Sequence, residues 1–127
     1  MLIYLDLFFD RPIILNHLGW PLDPKDINDW CEKIAVIAKQ PNVSLKLSGF
    51  GGVLKGDRNL ITEYIRIAYD FFGEHRLIFG SNTPPDILHL EFDNIIAAIK
   101  EAVMPMRSSV KERIFYLNAM NLYRLEE

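Results

Sequence analysis

Three polar residues in this 127-residue sequence stand at or just past the ends of short apolar runs, where chemistry can be placed. His17 follows Pro12-Ile13-Ile14-Leu15-Asn16, Lys46 lies within Val43-Ser44-Leu45-Lys46-Leu47, and Asn82 follows Arg76-Leu77-Ile78-Phe79-Gly80-Ser81. An imidazole titrates near neutral pH, so His17 is suited to moving a proton, although a lone histidine is also a common structural side chain. Gly19 and Pro21 after it are residues of a tight loop that can open around a pocket. Lys46 alternates with apolar neighbours, so it points either into a barrel or cleft, or from a sheet edge to solvent. Gly49, Gly51 and Gly52 permit close approach of backbone to a ligand. They match neither G-x-G-x-x-G nor a P-loop, so a phosphate cradle is weakly signalled. Asn82 can donate and accept hydrogen bonds but cannot act as a base. Asp86 is the carboxylate of the third segment, and its position predicts a cap or first-turn role in the next helix.

Other reactive types fit chemistry less well. His75 precedes the third run and belongs to the opposite end of a strand, and no ligand spacing links His89 to His17. There is no H-x-H, no H-E-x-x-H and no Cys/His cluster, so no metal ligands are assigned. Cys31 is the single cysteine. It excludes an intrachain disulfide, and with no base beside it in the sequence it reads as an ordinary helix thiol.

The elements that must position these residues are visible in the hydrophobic spacing. The three runs have the length of buried strands and recur at about the interval of one βαβ unit. Between the first two, Ile27, Trp30, Ile34, Ile37 and Ala38 fall on one helical face, and Pro41-Asn42 stops that helix. Between the second and third, Ile61, Tyr64, Ile65, Ala68, Phe71 and Phe72 form a second stripe, with Asp57 as N-cap and Gly73 at its C-terminal end. Phe92, Ile95, Ile96, Ile99 and Val103 predict a third helix ended by Pro105. Ser109 to Glu112 has the capping-box pattern and opens a last helix carrying Val110, Ile114, Leu117 and Leu122. Strand–helix repetition of this kind predicts an α/β fold with a parallel sheet, in one domain over residues 1–127. Ligands of such folds collect at the carboxyl ends of the strands.

Composition bounds the function. The chain is half hydrophobic and about a quarter charged, with a net charge of −3. That is a globular balance with no basic cluster, which argues against nucleic acid or an anionic membrane as partner. Met1 to Phe9 is apolar, but Asp6 interrupts it, no positive residues precede it and no cleavage site follows. The run is too short to span a bilayer. A cytoplasmic, soluble protein is expected.

The strand tips together resemble the amidohydrolase-related metal-dependent hydrolases, in the branch with lactonases and aromatic-ring decarboxylases. The resemblance is carried by Ile13-Ile14-Leu15-Asn16-His17-Leu18-Gly19-Trp20-Pro21, by the stretch from Pro41 to Gly49, and by the stretch from Phe72 to Pro84. The tail from Asn118 to Leu125 is similar to the family's closing helix. The resemblance implies part of a (β/α)8 TIM-type barrel, with the three strands equivalent to strands six, seven and eight. It implies that His17 matches the strand-six histidine, a catalytic or water-orienting residue, and that Asn82 stands where the strand-eight aspartate binds metal. For an active chain it implies a small-molecule substrate, a lactone, C–N or carboxylate compound, with Trp20, Lys46 and Phe50 in contact with it. A divalent metal, zinc, is expected for the intact family.

Two departures qualify this expectation. The family's His-x-His of strand one and histidine of strand five have no counterpart here, and an amide replaces the strand-eight carboxylate. Such a replacement costs roughly several kcal/mol of transition-state stabilisation. The expectation is therefore a truncated hydrolase domain, inactive or impaired alone. Three strands cannot close a barrel, so the inner face at Ile14, Leu45 and Ile78 would lack partners. Met1 to Phe9 is expected to help by covering an edge or part of that face, and a homo-oligomer or association with a complementary chain is predicted. The rival readings are a non-catalytic interaction module completed by another chain, and a small doubly wound ligand-binding domain.

Overall fold

The computed structural model describes residues 10–125. The expectation for Met1 to Phe9 lies outside the described residues. Three strands, β1 (Ile13–Leu15), β2 (Val43–Leu47) and β3 (Leu77–Phe79), form a parallel sheet in the order β1-β2-β3. Each crossover carries a helix, α1 (Ile27–Ala38) between β1 and β2 and α2 (Arg58–Phe72) between β2 and β3. Helix α3 (Phe92–Val103) follows β3. The chain ends in α4 (Ser108–Glu112), a π-turn segment (Arg113–Leu117) and α5 (Asn118–Tyr123).

The helix boundaries have local causes. Asp26 accepts a hydrogen bond from the Asp29 amide, and Asp57 accepts from the amides of Asn59 and Leu60, each satisfying N–H groups that a first turn leaves free. Helix α2 ends at Gly73, whose φ is 67°. The capping box expected at Ser109 does not form. Helix α4 begins one residue earlier, and no side chain caps it.

Register explains which side of the sheet is buried against helices. Leu15 pairs with Leu45, Leu45 with Leu77, and Leu47 with Phe79. Neighbours in parallel register share a face, so Leu15, Leu45, Leu47, Leu77 and Phe79 point together toward the helices. There they join Trp30 and Ile34 of α1 and Tyr64, Ile65 and Ala68 of α2 in one core. Burying each large apolar side chain contributes about 1.5–3 kcal/mol. Ile14, Ser44, Lys46 and Ile78 occupy the other face. Ile14 and Ile78 lie where the inner face was expected, whereas Leu45 belongs to the helix side. Strands buried on both faces lack a clean polar–apolar alternation, and Leu45 sits in such a run. Phe71 and Phe92 also leave their expected stripes and are exposed at the edges of their helices.

Both α1 and α2 pack on the Leu45 face, as in one wall of a barrel rather than a doubly wound sheet. On the other face, Asn121 and Leu122 of α5 share a cavity of about 260 Å³ with Ser44 and Ile78. Among the described residues no helix is long and apolar enough to cross a membrane.

Candidate functional site

The three loops beyond the strand ends meet. The chain leaves β1 through Asn16 into a short 3-10 turn (His17–Gly19) followed by Trp20, and His17, Leu18 and Trp20 have φ of 52°, 57° and 57°. A non-glycine residue in the left-handed region costs roughly 1–2 kcal/mol, so three within four positions need external support. Leu18 gives some, being wholly buried with its carbonyl accepting from the Trp30 indole at 2.7 Å. Ser48 gives the rest. Its Oγ lies 2.9 Å from His17 Nδ1 and accepts from the His17 backbone N–H at 3.3 Å. Ser48 is itself buried, which fixes the hydroxyl and through it the ring.

Gly49 makes this approach possible. A Cβ there would stand 3.0 Å from the His17 Cβ, and its φ of 79° suits glycine. Trp20 meets the His17 ring edge-on, with centroids 5.8 Å apart, and is 60% exposed. It lines a cavity of about 350 Å³ between the loops after β1 and β2, together with Pro21, Lys25 and Val53. His17 Nε2 has no hydrogen bond among the described residues.

The loop after β3 is anchored by Asp86, which the sequence marks only as a helix-start carboxylate. Asp86 lies in the first turn of a 3-10 segment (Pro85–Leu88), as expected, but its carboxylate caps nothing in its own helix. The residue is wholly buried. Its Oδ1 accepts from the Gly52 amide at 3.0 Å and from Asn82 Nδ2 at 2.8 Å. Its Oδ2 has no hydrogen-bond partner. Asn82 is held in the left-handed region, with φ of 52°. A Cβ on Gly51 would overlap the Asp86 carbonyl oxygen. The glycine-rich stretch thus admits another part of the protein, Asp86, at the place where a ligand was considered.

The structure therefore brings His17, Trp20, Ser48, Asn82 and Asp86 to the same end of the sheet. Lys46 lies on the face opposite α1 and α2, and its Nζ stands 5.5 Å from the centre of the Tyr123 ring of α5. Phe50 is wholly buried in the core and offers no surface to a crevice. Cys31 is partly buried, and burial first and Glu63 second push its thiol upward, away from the reactive thiolate. His75 and His89 are exposed. Among the described residues no three of His, Cys, Asp and Glu group together to hold a metal ion. Tight zinc binding takes three or four protein ligands, and one imidazole and one amide do not supply them.

A family model described as amidohydrolase matches residues 4–125. The chain belongs to the amidohydrolase family. It is 35% identical over 120 residues to an uncharacterised protein, y4mH, of Sinorhizobium fredii, covering 93% of this chain and 40% of that protein. It is 30% identical over 114 residues to an L-fucono-1,5-lactonase of Burkholderia multivorans, covering 80% of this chain and 38% of the lactonase. Two crystal structures of an amidohydrolase from Burkholderia multivorans share the fold. One, with bound HEPES, has a TM-score of 0.81 at 24% identity. The other, with bound zinc, has a TM-score of 0.84 at 22% identity. Each match covers 91% of this chain and 45% of the crystal chain. The amidohydrolase relatives are thus matched over about two fifths of their length.

Proposed function

We propose that this chain supplies the His17–Asn82 part of an amidohydrolase-type site that hydrolyses lactones or related small carboxylate or C–N compounds, and that it is inactive or strongly impaired alone. The observation that carries the reading is the His17–Ser48 pair. Ser48 holds Nδ1, so the ring is oriented and Nε2 is left for substrate or water. A neutral His17 can take a proton from water attacking a carbonyl and return it to the leaving oxygen. Asn82 positions, and Trp20 offers an exposed aromatic face next to the imidazole. Lys46, on the sheet face opposite α1 and α2, stands on the substrate side in this reading, and Phe50 acts only through the core. By resemblance the strands are the sixth to eighth of a (β/α)8 barrel. The described residues do not form a zinc site by themselves, and no step is assigned to a metal.

Partial matches to longer relatives and a three-stranded sheet support association, either with a complementary chain or with a second copy. The test is a lactone-hydrolysis screen of the chain alone and mixed with the remaining part of the y4mH relative, with light scattering on the same samples. Turnover is expected only in the mixture, with His17→Ala lowering it at least about 10²-fold. Stoichiometric zinc and His17-dependent turnover in the chain alone would overturn the impairment. A monomer that binds nothing would overturn the association.

A further inference from the structure

Among the described residues, Asp86 is the buried charge-bearing side chain for which the hydrolase reading has no role. A tie between the Gly52 amide and the Asn82 side chain needs only a neutral acceptor. A buried carboxylate loses far more hydration than an amide, and here one oxygen is left without a partner. What a carboxylate adds is one-sidedness. It can only accept, so the group facing it must be a donor. An amide at position 86 could accept or donate, and would tolerate either orientation of Asn82.

We propose that Asp86 is the positioning residue of the strand-tip site: it fixes the Asn82 carboxamide so that the carbonyl oxygen is the group offered to a ligand. The Asn82 Nδ2–H to Asp86 Oδ1 bond turns the amide nitrogen inward and the carbonyl oxygen away from Asp86. The ligand group that this oxygen takes is a hydrogen-bond donor, an O–H of water or substrate or an N–H of a C–N substrate. Gly51 and Gly52 serve the same arrangement, one by leaving room for the Asp86 backbone and the other by bonding Oδ1. Asp86 in turn joins the loops after β2 and β3, so Asn82 is held relative to Ser48 and His17. The inference deepens the hydrolase reading and rests on it for the identity of the ligand, but not for the geometry.

The experiment measures hydrogen exchange of the Asn82 side-chain amide by nuclear magnetic resonance in the full chain, for the parent and Asp86→Asn. A hydrogen bond to a charged group exceeds a neutral one by enough to predict at least about tenfold faster exchange in the variant. Backbone amides of β2 and α2 serve as the folding control and are expected to keep their protection. Unchanged Asn82 exchange in a folded Asp86→Asn chain would overturn the proposal. Should Asp86→Ala fail to fold, the near-isosteric Asp86→Asn still decides. In the two-chain mixture of the hydrolase test, Asp86→Asn is expected to lower kcat at least about tenfold with KM moved less than about twofold, by the same energy. A stability loss with kcat unchanged would show a merely structural tie and overturn the proposal. Faster Asn82 exchange with no turnover in any parent mixture would support the positioning role and overturn the hydrolase reading instead.

Discussion

The two ends of the sheet use their polar groups in opposite ways. Where the strands begin, donors reach backbone carbonyls. The Arg76 guanidinium donates to the carbonyls of Gln40 and Val43, and Asn118 donates to those of Glu74 and Leu77. Partial burial lowers the Arg76 pKa from its usual value, yet such a group stays charged at any ordinary pH. Where the strands end, side chains bond to one another, and among the described residues His17 Nε2, the Asn82 side-chain carbonyl oxygen and Asp86 Oδ2 are left without a hydrogen bond. Four left-handed non-glycine residues, His17, Leu18, Trp20 and Asn82, lie in the loops after β1 and β3. Strain and unused hydrogen-bonding capacity therefore collect at one end, and saturated bonds at the other. In α/β folds that division separates chemistry from stability.

Substitutions at the two ends should differ in kind. The largest effect expected is on turnover at the strand-end side. In the two-chain mixture, His17→Ala should lower kcat/KM by about 10²- to 10⁴-fold, the range for loss of a general base. The thermal midpoint should hardly move, because the ring is half-exposed. A large loss of stability with turnover kept would break the contrast.

At the other end, Asn118→Ala leaves two carbonyls without their donor and should cost about 1–3 kcal/mol in a denaturant titration. Turnover per folded molecule should stay unchanged. Away from both ends, Asp57→Ala removes the α2 N-cap and should cost about 1 kcal/mol by the same titration.

The smallest effect concerns alkaline pH. Tyr64 donates to the Pro24 carbonyl, and its hydroxyl is pushed from 10.0 up to about 12, first by burial and then by Cys31 and nearby carboxylates. Because the folded value is raised, the fold favours the neutral phenol. Its contribution is complete below pH 10 and is lost as pH climbs toward about 12. Denaturation midpoints at neutral pH and above pH 10 should diverge less for Tyr64→Phe than for the parent.

Much of the scaffold can be read in the residues. Strands at 13–15, 43–47 and 77–79, the helices between them and the Asp57 cap follow from apolar spacing and polar punctuation. Such signals are local, each needing only residues within a turn or two of one another. The parts that cannot be read depend on contacts across the fold. Ser48 meets His17 from 31 positions away, and Gly52 meets Asp86 from 34. Asp86 shows a helix-start position in the sequence, and nothing near it indicates burial. Phe50 adjoins a glycine-rich stretch that suggests a pocket rim, yet its ring is wholly buried in the core, a tertiary contact that no local signal reveals. The π-turn at Arg113–Leu117 leaves the apolar spacing of the final helix nearly intact, so periodicity does not reveal it.

The glycines of the loop after β2 have a consequence for how this sequence can vary. That loop seats both neighbours, His17 against Gly49 and Asp86 against Gly51. Length added between Ser48 and Gly52 would disturb two contacts at once. The exposed pair Leu22 and Asp23, ahead of the Pro24 carbonyl that Tyr64 reaches, seats neither of these neighbours, and it is there that an insertion would be absorbed. Of the loops after β1 and β2, the first can lengthen to suit a different substrate, while the second is the hinge pin on which the others are hung.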